Sequence, residues 1–266
     1  LEGYRGWLTE NYSGGETWED LRGEGRYIHP KNSIKADAAR DYIETLDLNK
    51  VDKNTLICSV IFAINKVNNS VGQQQAYLKE WCTRSQGNIV FELPPIIDGP
   101  TGEHFMDDCF NIQYPEADLA YLDPPYTPTV AYHTYYHIWD SIALWDKPDT
   151  SLKSRRRIDR VAKSDTYNET FNDIPWYNKN ALEAFKRMVE QLSHVPNIMI
   201  SYSNESIVSK EDLMDLLTKY GEVVLFEIDH KRMIMGLIGK STRDRKIISS
   251  DNPNVREYLF LLKRNK

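Results

Sequence analysis

The sequence predicts an α/β fold: half of a doubly wound sheet ending in an antiparallel strand pair, with a helical region ahead of it. Three observations predict it. After residue 88, short apolar runs alternate with helical periodicity, the pattern of strands joined by helices. Between residues 32 and 85 the apolar residues fall on helical stripes and no strand pattern appears. No apolar run approaches the ~18 residues of a membrane span, and no signal peptide is expected. The division expected is residues 1–87, helical, and residues 88–266, the sheet, with a polar loop at 148–175.

Residues 1–31 are glycine-rich and aromatic, with Trp7, Tyr12, Trp18 and Tyr27, and read as an irregular surface or docking segment. Asn32 or Ser33 caps a helix running to about residue 48. A second helix at 54–68 carries Leu56, Val60, Ile64 and Val67 on one stripe, with Ile57 and Ile61 beside it. A short third helix is expected at 74–84, with Tyr77, Leu78 and Trp81. Residues 89–91 are a strand candidate. An apolar strand at 119–122 follows, then an aromatic helix at 135–145. The polar stretch 148–175 has little periodicity and is expected to be partly disordered without a ligand. A helix at 180–192 carries Leu182, Phe185, Val189 and Leu192. A buried strand at 197–202 and a helix at 210–220, stopped by Gly221, come next. Strands at 222–229 and 257–263 close the fold as the antiparallel pair, with a basic excursion at 231–248 between them.

The most informative segment is Asp118-Leu119-Ala120-Tyr121-Leu122-Asp123-Pro124-Pro125-Tyr126. An apolar strand runs straight into a carboxylate, a rigid turn and an aromatic ring. That grouping lies at the carboxyl end of a strand, where open α/β sheets build their sites. The residue types suit an exocyclic amine whose lone pair is delocalised into a ring. A carboxylate and a carbonyl that accept its two hydrogens draw the nitrogen toward a tetrahedral shape and aim the lone pair at an electrophile. Asp123 and the Pro124 carbonyl are such a pair of acceptors. Proline adds no N–H and fixes φ, and Tyr126 offers a face for a base swung out of a duplex.

The flanks strengthen the signal. Asn32-Ser33-Ile34-Lys35-Ala36-Asp37-Ala38-Ala39-Arg40 carries an Asn-x-x-Lys-x-Asp-x-x-Arg pattern. Lys66-Val67-Asn68-Asn69-Ser70-Val71-Gly72 is followed by Ala76-Tyr77-Leu78-Lys79, and the segment from Tyr132 to Ile138 by Asp146-Lys147-Pro148. Ser201-Tyr202-Ser203 ends an apolar strand. Together with Asp123 to Tyr126, these segments resemble, over roughly residues 25–263, the Dam-like class of adenine-specific DNA methyltransferases.

The resemblance implies a Rossmann-like methyltransferase sheet with a helical DNA-recognition region. It also implies transfer of a methyl group from S-adenosyl-L-methionine to adenine N6 of a flipped base in double-stranded DNA, within a restriction-modification setting. Catalysis falls to Asp123, Pro124, Pro125 and Tyr126. Asp108, with Asp107 as rival, matches the residue that accepts a hydrogen bond from the cofactor's adenine, and Asp123 borders the same cofactor. Lys35, Arg40, Asn69, Lys79, Tyr132, His137, Arg155, Arg156 and Arg157 are the DNA-contact candidates, with solvent exposure or packing as the alternative for each.

One departure stands out. The family's glycine-rich Phe-x-Gly-x-Gly turn is not found, and Asn11-Tyr12-Ser13-Gly14-Gly15 follows no apolar strand. The expectation is that a partner chain or a covalently attached amino-terminal portion supplies that turn, and that this chain alone binds cofactor poorly. Two other readings stay open: a non-catalytic DNA-binding or assembly subunit, and methylation of cytosine N4 or a glutamine amide. Asp rather than Asn at position 123 disfavours the glutamine amide.

Composition agrees with a soluble cytoplasmic protein. Three scattered cysteines, Cys58, Cys82 and Cys109, form no disulfide framework and no zinc spacing. His104, Asp107, Asp108 and Cys109 match no standard metal site. A net charge of −6 does not favour DNA, but the 153–163 stretch sets six Lys and Arg against the single acid Asp159, and Lys240, Arg243, Arg245 and Lys246 form a second basic group.

Overall fold

The structure is a computed structural model of the 266-residue chain. It describes residues 2–14, 25–70, 72, 74, 76–125, 132–151, 155–161, 175–177, 179–231 and 254–264. The chain gathers into two compact units: residues 1–99 with 131–165, and residues 100–130 with 166–266. These packing units break at residues 99, 130 and 165, and the division at residue 87 remains a proposal. The aromatic helix after the Asp123 motif belongs with the helices of the first unit, because its apolar side chains close that unit's core.

In the first unit, α1 (Trp7–Tyr12), α2 (Pro30–Thr45), α3 (Lys50–Val67) and α4 (Tyr132–Leu144) surround one core, and α5 (Ile158–Val161) is a single short turn. Leu8, Tyr12, Tyr27, Ile28, Ile64 and Ile142 are almost fully buried there. The described parts of the amino-terminal segment thus contribute to the core and are not a surface strip. Its glycines hid a short helix whose N-terminus is capped from a distance. The Asp37 carboxylate accepts from the amides of Gly6, Leu8 and Thr9 and from Thr9 Oγ1, at 3.2, 2.8, 2.9 and 2.6 Å. α2 starts three or four residues earlier than its sequence suggests, capped by His29 with Pro30 in the first turn. Asn49 caps α3 by accepting from Asp52 N at 3.0 Å.

The helix expected at 74–84 does not form among the described residues. Asn69 organises that stretch instead: its side chain bonds Leu78 O at 3.1 Å and Cys82 N at 3.0 Å, so the backbone groups are met by an amide and not by a helical ladder. Residues 89–91 likewise form no strand; Ile89 N bonds Asn32 Oδ1 at 2.9 Å.

Among the described residues, the second unit is a four-stranded sheet with two α-helices. β1 (Ala120–Leu122), β2 (Asn197–Ser203), β3 (Gly221–Lys231) and β4 (Asn254–Arg264) stand in the order β1-β2-β4-β3. β1 and β2 are parallel, with Leu122 opposite Ile200; β4 runs antiparallel to both neighbours. The antiparallel final pair is as the sequence predicts. A parallel pair needs a long crossover, and α6 (Ala181–Gln191) lies within it; α7 (Lys210–Leu217) follows β2. Ser209 caps α7 through Asp212 N at 3.0 Å. Alternate residues of β2 and β4 (Ile198, Ile200, Tyr202, Phe260 and Leu262) pack with Phe185, Val189, Leu213 and Leu217 of these helices. Gly221 is required where β3 begins, since a Cβ there would collide with the Lys263 carbonyl.

The basic excursion at 231–248 and most of the 148–175 loop lie outside the described residues. Among the described residues, no helix is long and apolar enough to cross a membrane.

Candidate active site

β1 is short because its sequence ends it. Leu122 is the last residue in register with β2, and Pro124 and Pro125 have no N–H to extend the ladder. Asp123 is therefore the first residue released from the sheet, at the carboxyl end of a parallel strand. It is exposed, and its Oδ1 accepts from Ser201 Oγ at 2.9 Å. Tyr126 lies outside the described residues.

A pocket of about 260 Å³ opens beside this turn, bounded by Asp123, Pro124, Cys109, Tyr114, Trp176 and Met188. Its walls are mostly apolar, with Asp123 as the one carboxylate among the described residues, the make-up of a small-ligand site. The aromatic wall is braced. Trp176 lies nearly parallel to Phe110, with ring centroids 5.8 Å apart and planes at 8°, and meets Phe185 edge-on. The Arg187 guanidinium caps Phe110 at 4.2 Å from its centroid. Gln191 of α6 fastens the preceding loop by bonding Ile112 O at 2.7 Å, and Tyr114 hydroxyl bonds Cys109 O at 3.0 Å. Burial pushes the Cys109 thiol up from its ordinary pKa, so the pocket meets a ligand with a neutral sulfur.

Asp107 and Asp108 sit in an exposed turn just before Cys109. Asp107 Oδ1 accepts from Asp108 N at 2.7 Å, and Asp108 Oδ1 accepts from Phe110 N at 3.0 Å. Each carboxylate uses one oxygen to shape the turn. Among the described residues, no group of three or more His, Cys, Asp and Glu stands close enough to hold a metal ion.

The DNA-contact candidates divide by burial. Lys35 and Lys79 are exposed. Arg40 is 1% exposed and donates to Ile142 O at 2.8 Å, Ala143 O at 3.5 Å and Glu44 at 2.8 Å. Asn69 is fully buried in the loop it organises. His137 is buried between Tyr12 and the Gln74 carbonyl, with Nε2 2.8 Å from Gln74 O. Arg157 is buried against Asp146 and Asp159, and these bonds hold its pKa above even the ordinary guanidinium value. For these four, the bonds among the described residues engage the donors inside the fold, which supports the packing alternative over DNA contact. Arg155 and Arg156 are half-buried in a turn closed by Ser151. Tyr132 opens α4, and its side chain lies outside the described residues.

Tyr114, Trp176, Met188 and Ser201 escaped the sequence reading as site residues. Trp176 sits where the polar stretch ends, in a short 3-10 turn, and carried no periodic signal. Ser201 was noticed only as the end of a strand. Its relation to Asp123 depends on which strands pair, which one strand's sequence cannot show.

Residues 4–216 match the model of the D12 class N6 adenine-specific DNA methyltransferase family. The chain belongs to this family. The match takes in α2, the Asp123 turn, Ser201, α6 and all but the last residue of α7. Among curated relatives, the chain is 29% identical to modification methylase LlaI of Lactococcus lactis subsp. lactis, over 78% of this chain and 33% of that protein. It is 26% identical to modification methylase StsI of Streptococcus sanguinis, over 91% of this chain and 35% of that one. It is also 26% identical to type II methyltransferase M.CviAII of Paramecium bursaria Chlorella virus 1, over 97% of this chain and 70% of that one. The chain thus spans about a third of the length of the first two. No solved structure matches it at comparable strength.

Proposed function

We propose that this chain carries the amine-binding half of a DNA methyltransferase site and directs a methyl group from S-adenosyl-L-methionine to adenine N6 in double-stranded DNA. The observation that carries the reading is Asp123, released at the end of a parallel strand beside a mostly apolar pocket, in a chain of the D12 family.

In this reading Asp123 accepts one amine hydrogen of a flipped adenine and the Pro124 carbonyl accepts the other. The nitrogen lone pair, drawn out of conjugation with the ring, would form the N–C bond as the methyl–sulfur bond of the sulfonium breaks and a neutral thioether leaves, and one amine proton would then pass to solvent. Pro125 keeps the turn rigid and Tyr126 stacks on the base. The bound cofactor supplies an electrophilic methyl group. On the cofactor side the chain offers Asp108, whose carboxylate is suited to accept from an adenine amine, and Asp123 at the border. The glycine-rich turn is absent from the sequence, so in this proposal other polypeptide, covalently joined or separate, completes the cofactor site. The helices of the first unit serve as the DNA-recognition region, with Lys35 and Lys79 as phosphate-facing cations and Tyr132, Arg155 and Arg156 as further candidates. The sheet unit is the carboxyl-terminal half of a Rossmann-like methyltransferase sheet. The enzyme works in the cytoplasm, in a restriction-modification system.

The test is Asp123→Ala in the complete enzyme containing this chain. The variant is expected to fold, bind DNA and lose methyl transfer. Near-normal transfer would refute the assignment.

A further inference from the structure

Asp123 is held at the end of β1 by its neighbour strand. Leu122 stands opposite Ile200 across the parallel ladder. The next residue on each strand, Asp123 and Ser201, therefore leaves the ladder side by side and toward the same face. Their side chains meet: Ser201 Oγ lies 2.9 Å from Asp123 Oδ1. A carboxylate only accepts, so the hydroxyl is the donor. Among the described residues this is the hydrogen bond that Asp123 accepts, and none of the described groups bonds Oδ2. Ser201 is half-buried and sits on a strand with neighbours on both sides, so its own position is fixed by the sheet.

We propose that Ser201 is a positioning residue for methyl transfer: its hydroxyl holds one oxygen of Asp123 so that the other faces the target amine. The proposal deepens, and rests on, the amine methylation assigned to Asp123. The carboxylate rotates about a broad, nearly two-fold torsion, and an untethered exposed aspartate samples it freely. Only a narrow range of these orientations lets an oxygen meet the amine hydrogen in line. The tether selects among orientations that all permit base binding. Its loss therefore falls on the chemical step and not on DNA affinity. A serine that merely tied two strand ends together would instead reveal itself in stability.

The experiment uses the complete enzyme. Ser201→Ala is expected to lower kcat roughly tenfold, the scale of one lost hydrogen bond to a charged group. The KM for DNA, the fluorescence of 2-aminopurine at the target base (a reporter of flipping) and the melting temperature should stay at wild-type values. Ser201→Thr keeps the hydroxyl and should restore most of kcat. If the alanine variant melts early, Ser201→Cys, a poor donor of similar size, carries the same expectation. A kcat within about twofold of wild type in the alanine variant overturns the proposal, as does an equal loss in the threonine variant. Wild-type enzyme that transfers no methyl to DNA is a different outcome: it removes the methylation reading and the proposal with it.

Discussion

Replacing Arg40 by methionine separates scaffold from DNA contact. The change keeps most of the stem's volume and removes every donor. Three interactions disappear. The bonds to Ile142 O and Ala143 O cap the last turn of α4; a charged donor to a buried carbonyl contributes about 1.5–3 kcal/mol. The guanidinium also lies 5.1 Å from the Trp145 ring centroid, worth about 0.5–1 kcal/mol. The pair with Glu44 adds less than about 1 kcal/mol, because Glu44 is 37% exposed. The loss should total about 3 kcal/mol. For a chain of this size each kcal/mol moves the midpoint by about 2–4 °C, so the first unit's transition should fall by roughly 6–12 °C. Thermal unfolding of the full chain followed by circular dichroism measures this, alongside DNA binding at several salt concentrations. The reasoning fails if Arg40→Met melts with wild type while the slope of log affinity against log salt shrinks by about 0.9, the signature of one lost phosphate contact.

Asp37→Asn should destabilise the first unit by about 2–4 kcal/mol, because an amide turns its own hydrogens toward donors that the carboxylate accepts. Amide exchange at Leu8 and Thr9 should accelerate, and unchanged exchange there would contradict the capping role. Glu44 gives a pH signature. The Lys53 hydrogen bond, with Arg40 behind it, lowers its pKa in the folded state. Its contribution is therefore present above the ordinary carboxylate range near pH 4.3 and drains away as the pH falls through the lowered value. Glu44→Gln should flatten that acid limb by less than about 1 kcal/mol; an acid limb identical in both proteins would remove Glu44 from the account.

The turn after β1 was legible because it is local: Asp123, Pro124 and Pro125 place a carboxylate and a rigid turn at a strand end whatever the rest does. Helices α2 and α3, the strands of the sheet and the antiparallel final pair were legible from periodicity and stop signals. What the sequence hid was direction. The pattern Asn32, Asp37, Arg40 has the residue types of a DNA-reading helix, and spacing cannot tell an inward polar face from an outward one. The structure turns these three inward. Asn32 ties down residues 85–89, Asp37 caps α1 and Arg40 caps α4, each satisfying backbone groups that lie far off in sequence. The amino-terminal segment was misread for a related reason, because the cap of α1 comes from 29 residues away. Ser201 was hidden by register and Trp176 by the irregular chain around it.

The most direct test of the central claim is nucleoside analysis of DNA incubated with the complete enzyme and methyl-labelled S-adenosyl-L-methionine. The account predicts label in N6-methyladenine, and its disappearance with Asp123→Ala. Label in N4-methylcytosine, or an undiminished adenine signal from the Asp123→Ala enzyme, would contradict it.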